Sequence, residues 1–123
     1  MPKVSQAIKR LPPATANALE TMGSHLAVAR IRRKQSLSDW AARVGVTVPT
    51  LMRMESGDPT VAAGLYASAL WLIGRDGELA RIAAPEHDSG ALALNVREAM
   101  ELGRRRAIAA QNAKAARTQR AGG

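Results

Sequence analysis

The chain has 123 residues, a formal net charge of +8 and no cysteine, which excludes disulfide staples and thiolate metal sites and fits a reducing compartment. No apolar run approaches the ~20 residues that a bilayer-spanning helix needs. With Trp40, Tyr66 and Trp71 as its only aromatic residues, the chain also lacks the platforms for single-strand binding by base stacking.

The length predicts one domain with a core of about 70 residues and a tail at each end. The N-terminus has no apolar signal-peptide core, which predicts a cytoplasmic protein. Charge is uneven. Lys3, Lys9 and Arg10 make residues 1–16 basic, and residues 91–123 carry seven bases against Glu98 and Glu101, while residues 17–90 cancel. Basicity in the tails reads as arms for a polyanion or a partner.

Residues 1–14 end in Leu11-Pro12-Pro13 and read as a mobile arm. Thr15 is the expected cap of a helix running to about Lys34, with Leu19, Met22, Leu26 and Ala29 as its buried stripe and Gly23 softening it. Arg30, Arg32, Arg33 and Lys34 crowd its last turns, where cations complement the negative helix end.

The most informative stretch is Ser36 to Gly57. Ser36 caps a short helix, Asp39 suits its positive end, and Trp40, Ala41 and Val44 form its apolar face. Gly45 ends it by reaching left-handed backbone angles cheaply. Thr47 caps the next helix. Pro49 lies two residues inside, where a missing N–H costs little, so the Thr47 hydroxyl must bond the amide of Thr50. Leu51 and Met54 point inward, which leaves Val48, Pro49, Met52, Arg53 and Ser56 outside. Gly57 stops the helix, and Asp58-Pro59 prevents it resuming.

Thr60 to Ile73 is apolar nearly all round and predicts a helix buried on more than one side, with Trp40 and Trp71 as core fillers. After Gly74, Glu78 to Ala84 offers Leu79, Ile82 and Ala83 as a short fifth helix stopped by Pro85. Residues 85–90 (PEHDSG) read as a linker. Beyond it Leu92, Val96, Ala99, Met100 and Gly103 form one face of an amphipathic helix that turns basic at Arg104, Arg105 and Arg106. Ala107 to Gly123 has almost no bulky apolar residue and is expected to fray.

Two short helices meeting at a Gly-containing turn form a helix-turn-helix unit. The order A-A-R-V-G-V-T-x-x-T-L-x-R-M-E-S-G resembles the Cro/C1 (XRE) family over about Leu19 to Ala84. That resemblance implies an all-α, five-helix, lambda repressor-like domain over 15–84 and a homodimer on an inverted-repeat DNA operator. It implies base reading by Val48, Pro49 and Arg53 with Met52 beside them, and phosphate contacts at Thr47 and Ser56. Arg53 can donate two hydrogen bonds to guanine, worth about 1–3 kcal/mol of discrimination. Leu37 stands where many family members have a phosphate-anchoring glutamine, so that contact is lost or shifts to Ser38. Arg30 and Glu55 align with a structural ion pair joining the first helix to the recognition helix.

M-E-S-G-D-P-T-V (Met54 to Val61), L-x-x-x-L-W-L-I-G, PEHDSG and A-L-A-L-N-V-R-E-A (Ala91 to Ala99) with Arg104–Arg106 are similar to HipB-type antitoxins. This narrower likeness implies autoregulation and restraint of a HipA-like kinase toxin. Two other readings stand beside it: a stand-alone regulator without a toxin, and an adaptor that keeps the helix-turn-helix only as a scaffold. No cofactor is implied, and His25 and His87 without cysteine make a poor zinc set. With no P-loop, nucleophile elbow or dinucleotide fingerprint, the sequence reads as a non-enzyme.

Overall fold

The computed structural model describes residues 4–88 and 96–122. Lys3, the end of the 85–90 linker, and residues 91–95 with Leu92 lie outside them. All secondary structure among the described residues is helical. The chain divides into two units, Met1–Arg81 and Ile82–Gly123.

In the first unit, the expected arm contains one helical turn, α1 (Gln6–Lys9), whose cap Ser5 accepts from the Ile8 amide at 3.3 Å. Helix α2 (Pro13–Arg32) begins two residues before the expected Thr15 cap. Pro13 itself opens the helix: its ring presets φ, and its missing N–H would have had no intrahelical partner. At the other end Lys34 takes a left-handed φ of 56°. The amides of Lys34 and Gln35 bond back to the Ile31 and Arg30 carbonyls at 2.9 and 3.3 Å, closing a Schellman motif on a non-glycine residue.

Helices α3 (Leu37–Val44) and α4 (Val48–Glu55) follow, joined through left-handed Gly45. The Ser36 hydroxyl accepts from the Asp39 amide at 3.0 Å. Helix α5 (Ala63–Leu72) starts three residues later than the Thr60 expected. The Asp58 carboxylate accepts from both the amide and the hydroxyl of Thr60, at 2.8 and 2.6 Å, and this local loop outcompetes another helical turn.

Two groups of buried side chains form the core. Leu26, Met54, Val61, Tyr66 and Ala69 make one, and Trp40, Ala41 and Leu51 the other; Val44, Val46 and Ile73 pack against both. Trp71 is not a core filler, for it is 65% exposed. Tyr66, Ala69 and Ile73 share the inward face of α5, and Trp71 lies roughly 200° round the helix from Ala69. An apolar helix has here more surface than its neighbours cover.

The expected fifth helix, Glu78 to Ala84, is instead a 3₁₀ helix at Asp76–Arg81 with no buried residue. The segment between Gly77 and Pro85 is too short to nucleate a stable α-helix on its own. In the second unit a 3₁₀ turn occupies Pro85–His87. Helix α6 (Val96–Gly122) continues through the stretch expected to fray. Its Ala, Arg, Gln and Lys residues are strong helix formers, and Glu101 pairs with Arg104 and Arg105 one turn on. No helix among the described residues is long and apolar enough to cross a membrane.

Where α2 crosses α4 the two backbones come close. A Cβ built on Gly23 would lie 2.6 Å from the Gly57 amide nitrogen, 2.7 Å from the Met54 carbonyl and 2.8 Å from that of Glu55. One on Gly57, whose φ is +76°, would collide with the backbone of Leu19 and Glu20. Gly23 therefore does not soften α2; it lets two backbones touch. Gly23→Ala should lower stability by about 2–3 kcal/mol in urea unfolding, as overpacking does against an unyielding backbone. Lys34→Gly should raise it by about 0.5–1 kcal/mol, since relief of a left-handed cost of ~1–2 kcal/mol exceeds glycine's entropic loss.

Candidate nucleic-acid interface

The local sequence fixes how α4 is presented. The Thr47 hydroxyl accepts from the Thr50 amide at 3.3 Å and donates to the Thr50 hydroxyl at 3.0 Å, defining where α4 begins. Leu51 and Met54 are almost wholly buried and hold the helix by one face. The opposite face leaves Pro49, Met52, Arg53 and Ser56 exposed, with Thr47 at its start. The Ser56 hydroxyl donates to the Arg53 carbonyl at 2.8 Å.

Val48 departs from the expectation. It is half-buried and packs against the Trp40–Ala41–Leu51 group, because it lies one helical turn before Leu51 on the same face. Leu37 is used the same way, packing against that group from the start of α3, while Ser38 beside it is exposed. The Arg43 guanidinium lies 5.3 Å above the Trp40 ring, a cation–π contact.

Arg30 and Glu55 tie α4 to α2. Nε and Nη2 of Arg30 donate to the two Glu55 carboxylate oxygens at 2.8 and 3.0 Å, and Nη1 donates to the Gln35 carbonyl at 3.0 Å. The side chains are only 13% and 11% exposed. The hydrogen bonds to Glu55 raise the Arg30 pKa against the opposing effect of burial.

At the far end of α4, Arg53 is held by residues that follow the helix. Its Nε donates to Asp58 Oδ2 at 3.0 Å and its Nη2 to the Thr60 hydroxyl at 2.7 Å. Asp58 is fixed in turn, for the buried Tyr66 hydroxyl donates to its backbone carbonyl at 2.6 Å. The two hydrogen bonds from Thr60, helped by that from Arg53, lower the Asp58 pKa to about 2. From the sequence alone Asp58 reads only as a helix stop. The D-x-T spacing was the available signal, since Asp bonds backbone two residues on.

Arg104, Arg105 and Arg106 lie exposed on α6, in the second unit. Glu101 accepts from Arg104 and Arg105, chiefly Arg104, which lowers its pKa. No group of three or more His, Asp or Glu able to hold a metal occurs among the described residues. The chain matches no protein-family model, no curated protein and no solved structure.

Glu55→Gln should destabilise by about 2–3 kcal/mol in urea unfolding, somewhat less than the ~3–5 kcal/mol of a fully buried pair, with Arg30→Met/Glu55→Leu recovering most of it. Asp58 has a folded pKa of about 2 against 3.8 unperturbed, so its ionised form stabilises above pH 4 and that contribution is lost as pH falls toward 2. The difference in Tm between wild type and Asp58→Asn should therefore be constant above about pH 5 and shrink below pH 4 in thermal melts.

Proposed function

We propose that the chain is a sequence-specific, double-stranded-DNA-binding transcriptional repressor with a Cro/C1-type helix-turn-helix, α3 and α4 being its two helices and α4 the recognition helix. The observation that supports this best is the face of α4: it is anchored from behind by Leu51 and Met54 and ion-paired to α2 through Glu55, and it turns Pro49, Met52 and Arg53 outward. A helix so held can enter a major groove, with Arg53 on a guanine and Thr47, Ser56 and Ser38 toward phosphates.

In the first unit Val28, Ile31, Trp71 and Leu79 are 49%, 61%, 65% and 41% exposed. Such apolar residues support a homodimer that buries them and sets two copies of α4 about 34–36 Å apart on an inverted repeat. The exposed Arg104–Arg106 run on α6 supplies auxiliary phosphate affinity.

Within this reading the chain serves as the antitoxin of a HipBA-like module, repressing its own operon and restraining a HipA-like kinase. The support is the sequence likeness of Met54 to Val61 and of the segments after it. A stand-alone regulator is the alternative, and sequencing the adjacent reading frame for a kinase separates the two. An adaptor that keeps the helix-turn-helix only as a scaffold is the third reading; it predicts weak DNA binding without sequence preference, unchanged by Arg53→Ala.

The test is binding to the chain's own upstream DNA at two salt concentrations. A complex that discriminates against scrambled duplex by about a hundredfold or more, with discrimination falling about tenfold in Arg53→Ala, is expected. Binding that ignores sequence and mutation alike, and only weakens with salt, would sink the repressor reading.

A further inference from the structure

The contacts around Arg53 constrain how it can meet a base. A guanidinium has five N–H donors. Here the Nε hydrogen goes to Asp58 Oδ2 and one Nη2 hydrogen to the Thr60 hydroxyl. The donors outside these two bonds are the second Nη2 hydrogen and the pair on Nη1; that Nη2 hydrogen and one of the Nη1 hydrogens form the end of the fork. That end carries two parallel N–H groups, the pattern that matches O6 and N7 of guanine.

The polarity of the arrangement is also set. The Thr60 hydroxyl has one hydrogen and gives it to Asp58 Oδ1 at 2.6 Å, so it can only accept from Arg53. The Thr60 amide donates to the same oxygen at 2.8 Å, and Tyr66, 7% exposed, grips the Asp58 carbonyl from the core. The support thus runs from buried Tyr66 through Asp58 and Thr60 to a side chain half in solvent. An arginine held in advance loses less freedom on binding and is less free to turn to another acceptor.

We propose that Asp58 and Thr60 are positioning residues that hold Arg53 for end-on recognition of a guanine edge and so set the strength of that base preference. The inference rests on the DNA-binding reading of α4. Asp58–Thr60 is a specificity support and not a latch: it leaves the end of the guanidinium available while fixing its direction.

The experiment selects a preferred duplex from a randomised library with the full chain. It then measures binding to that duplex, to each single-base variant and to a scrambled duplex, with urea midpoints as a check on folding. Thr60→Val removes the hydroxyl without changing charge, Thr60→Ser restores it, and Asp58→Asn keeps an acceptor for Thr60 while losing the carboxylate. We expect Thr60→Val and Asp58→Asn to reduce preference for guanine, at the position where Arg53→Ala loses it, by about fivefold or more. Thr60→Ser should keep it, and Thr60→Val should bind scrambled duplex as wild type does. Unchanged guanine preference in Thr60→Val and Asp58→Asn overturns the inference alone. So does a stronger preference, the signature of a latch. A wild type without any preferred duplex, or a preference that Arg53→Ala leaves intact, overturns the reading of α4 and the inference with it.

Discussion

The first unit depends on one close approach, the crossing of α2 and α4. Gly23 and Gly57 allow backbone to lie on backbone there, and seven residues further along α2 the Arg30–Glu55 pair fixes the rotation of one helix against the other. The two devices act differently. Glycines permit proximity without specifying angle, whereas a bidentate pair with a third bond to the Gln35 carbonyl specifies angle and direction. A partly buried pair of this kind adds little net stability, and its value is in orientation.

What the crossing positions is α4, and through it the loop that follows. Gly57 lies at once in the crossing and in the left-handed turn that ends α4, so the chain enters Asp58 in a fixed direction. Asp58 then accepts from Thr60 and Arg53, and its carbonyl receives the Tyr66 hydroxyl from α5. Core packing, loop geometry and the side chain proposed to read DNA are therefore one connected arrangement. The proposal that α4 enters a major groove draws its force from this rigidity, because a base-reading helix gains specificity only if it cannot adjust to the wrong sequence.

The apolar excess of α5 points the other way, toward something outside a single copy of the first unit. Trp71 sits on the face of α5 opposite its core residues, and Val28 and Ile31 are exposed on α2. Most described residues of helix α6 are exposed, and the helix is strongly basic, supported by residue propensity and charge pairing. Both features suit the proposed assembly of two copies on DNA.

Local chemistry was readable along the chain. The Ser36 and Thr47 caps, Gly45, the shift of the Thr47 bond to Thr50, and inward Leu51 and Met54 all follow from interactions within a few residues. The alignment of Arg30 with Glu55 was readable only through likeness to a family. Other features needed neighbours distant in sequence. Whether Val48 faces groove or core depends on Trp40, whether Trp71 is covered depends on what the other helices leave bare, and Gly23 has its meaning only opposite Gly57. Helix α5 begins later than its apolar pattern suggests because Asp58 and Thr60 bond to each other and displace a turn of helix. By itself, then, the sequence determined the Ser36 and Thr47 caps, the turn at Gly45, the inward face of α4 and the all-helical class, since these rest on short-range hydrogen bonding and on periodicity. Only the tertiary structure decided which apolar side chains are buried, where α5 begins and how Arg53 is held, because each is a competition among partners that the chain brings together only on folding.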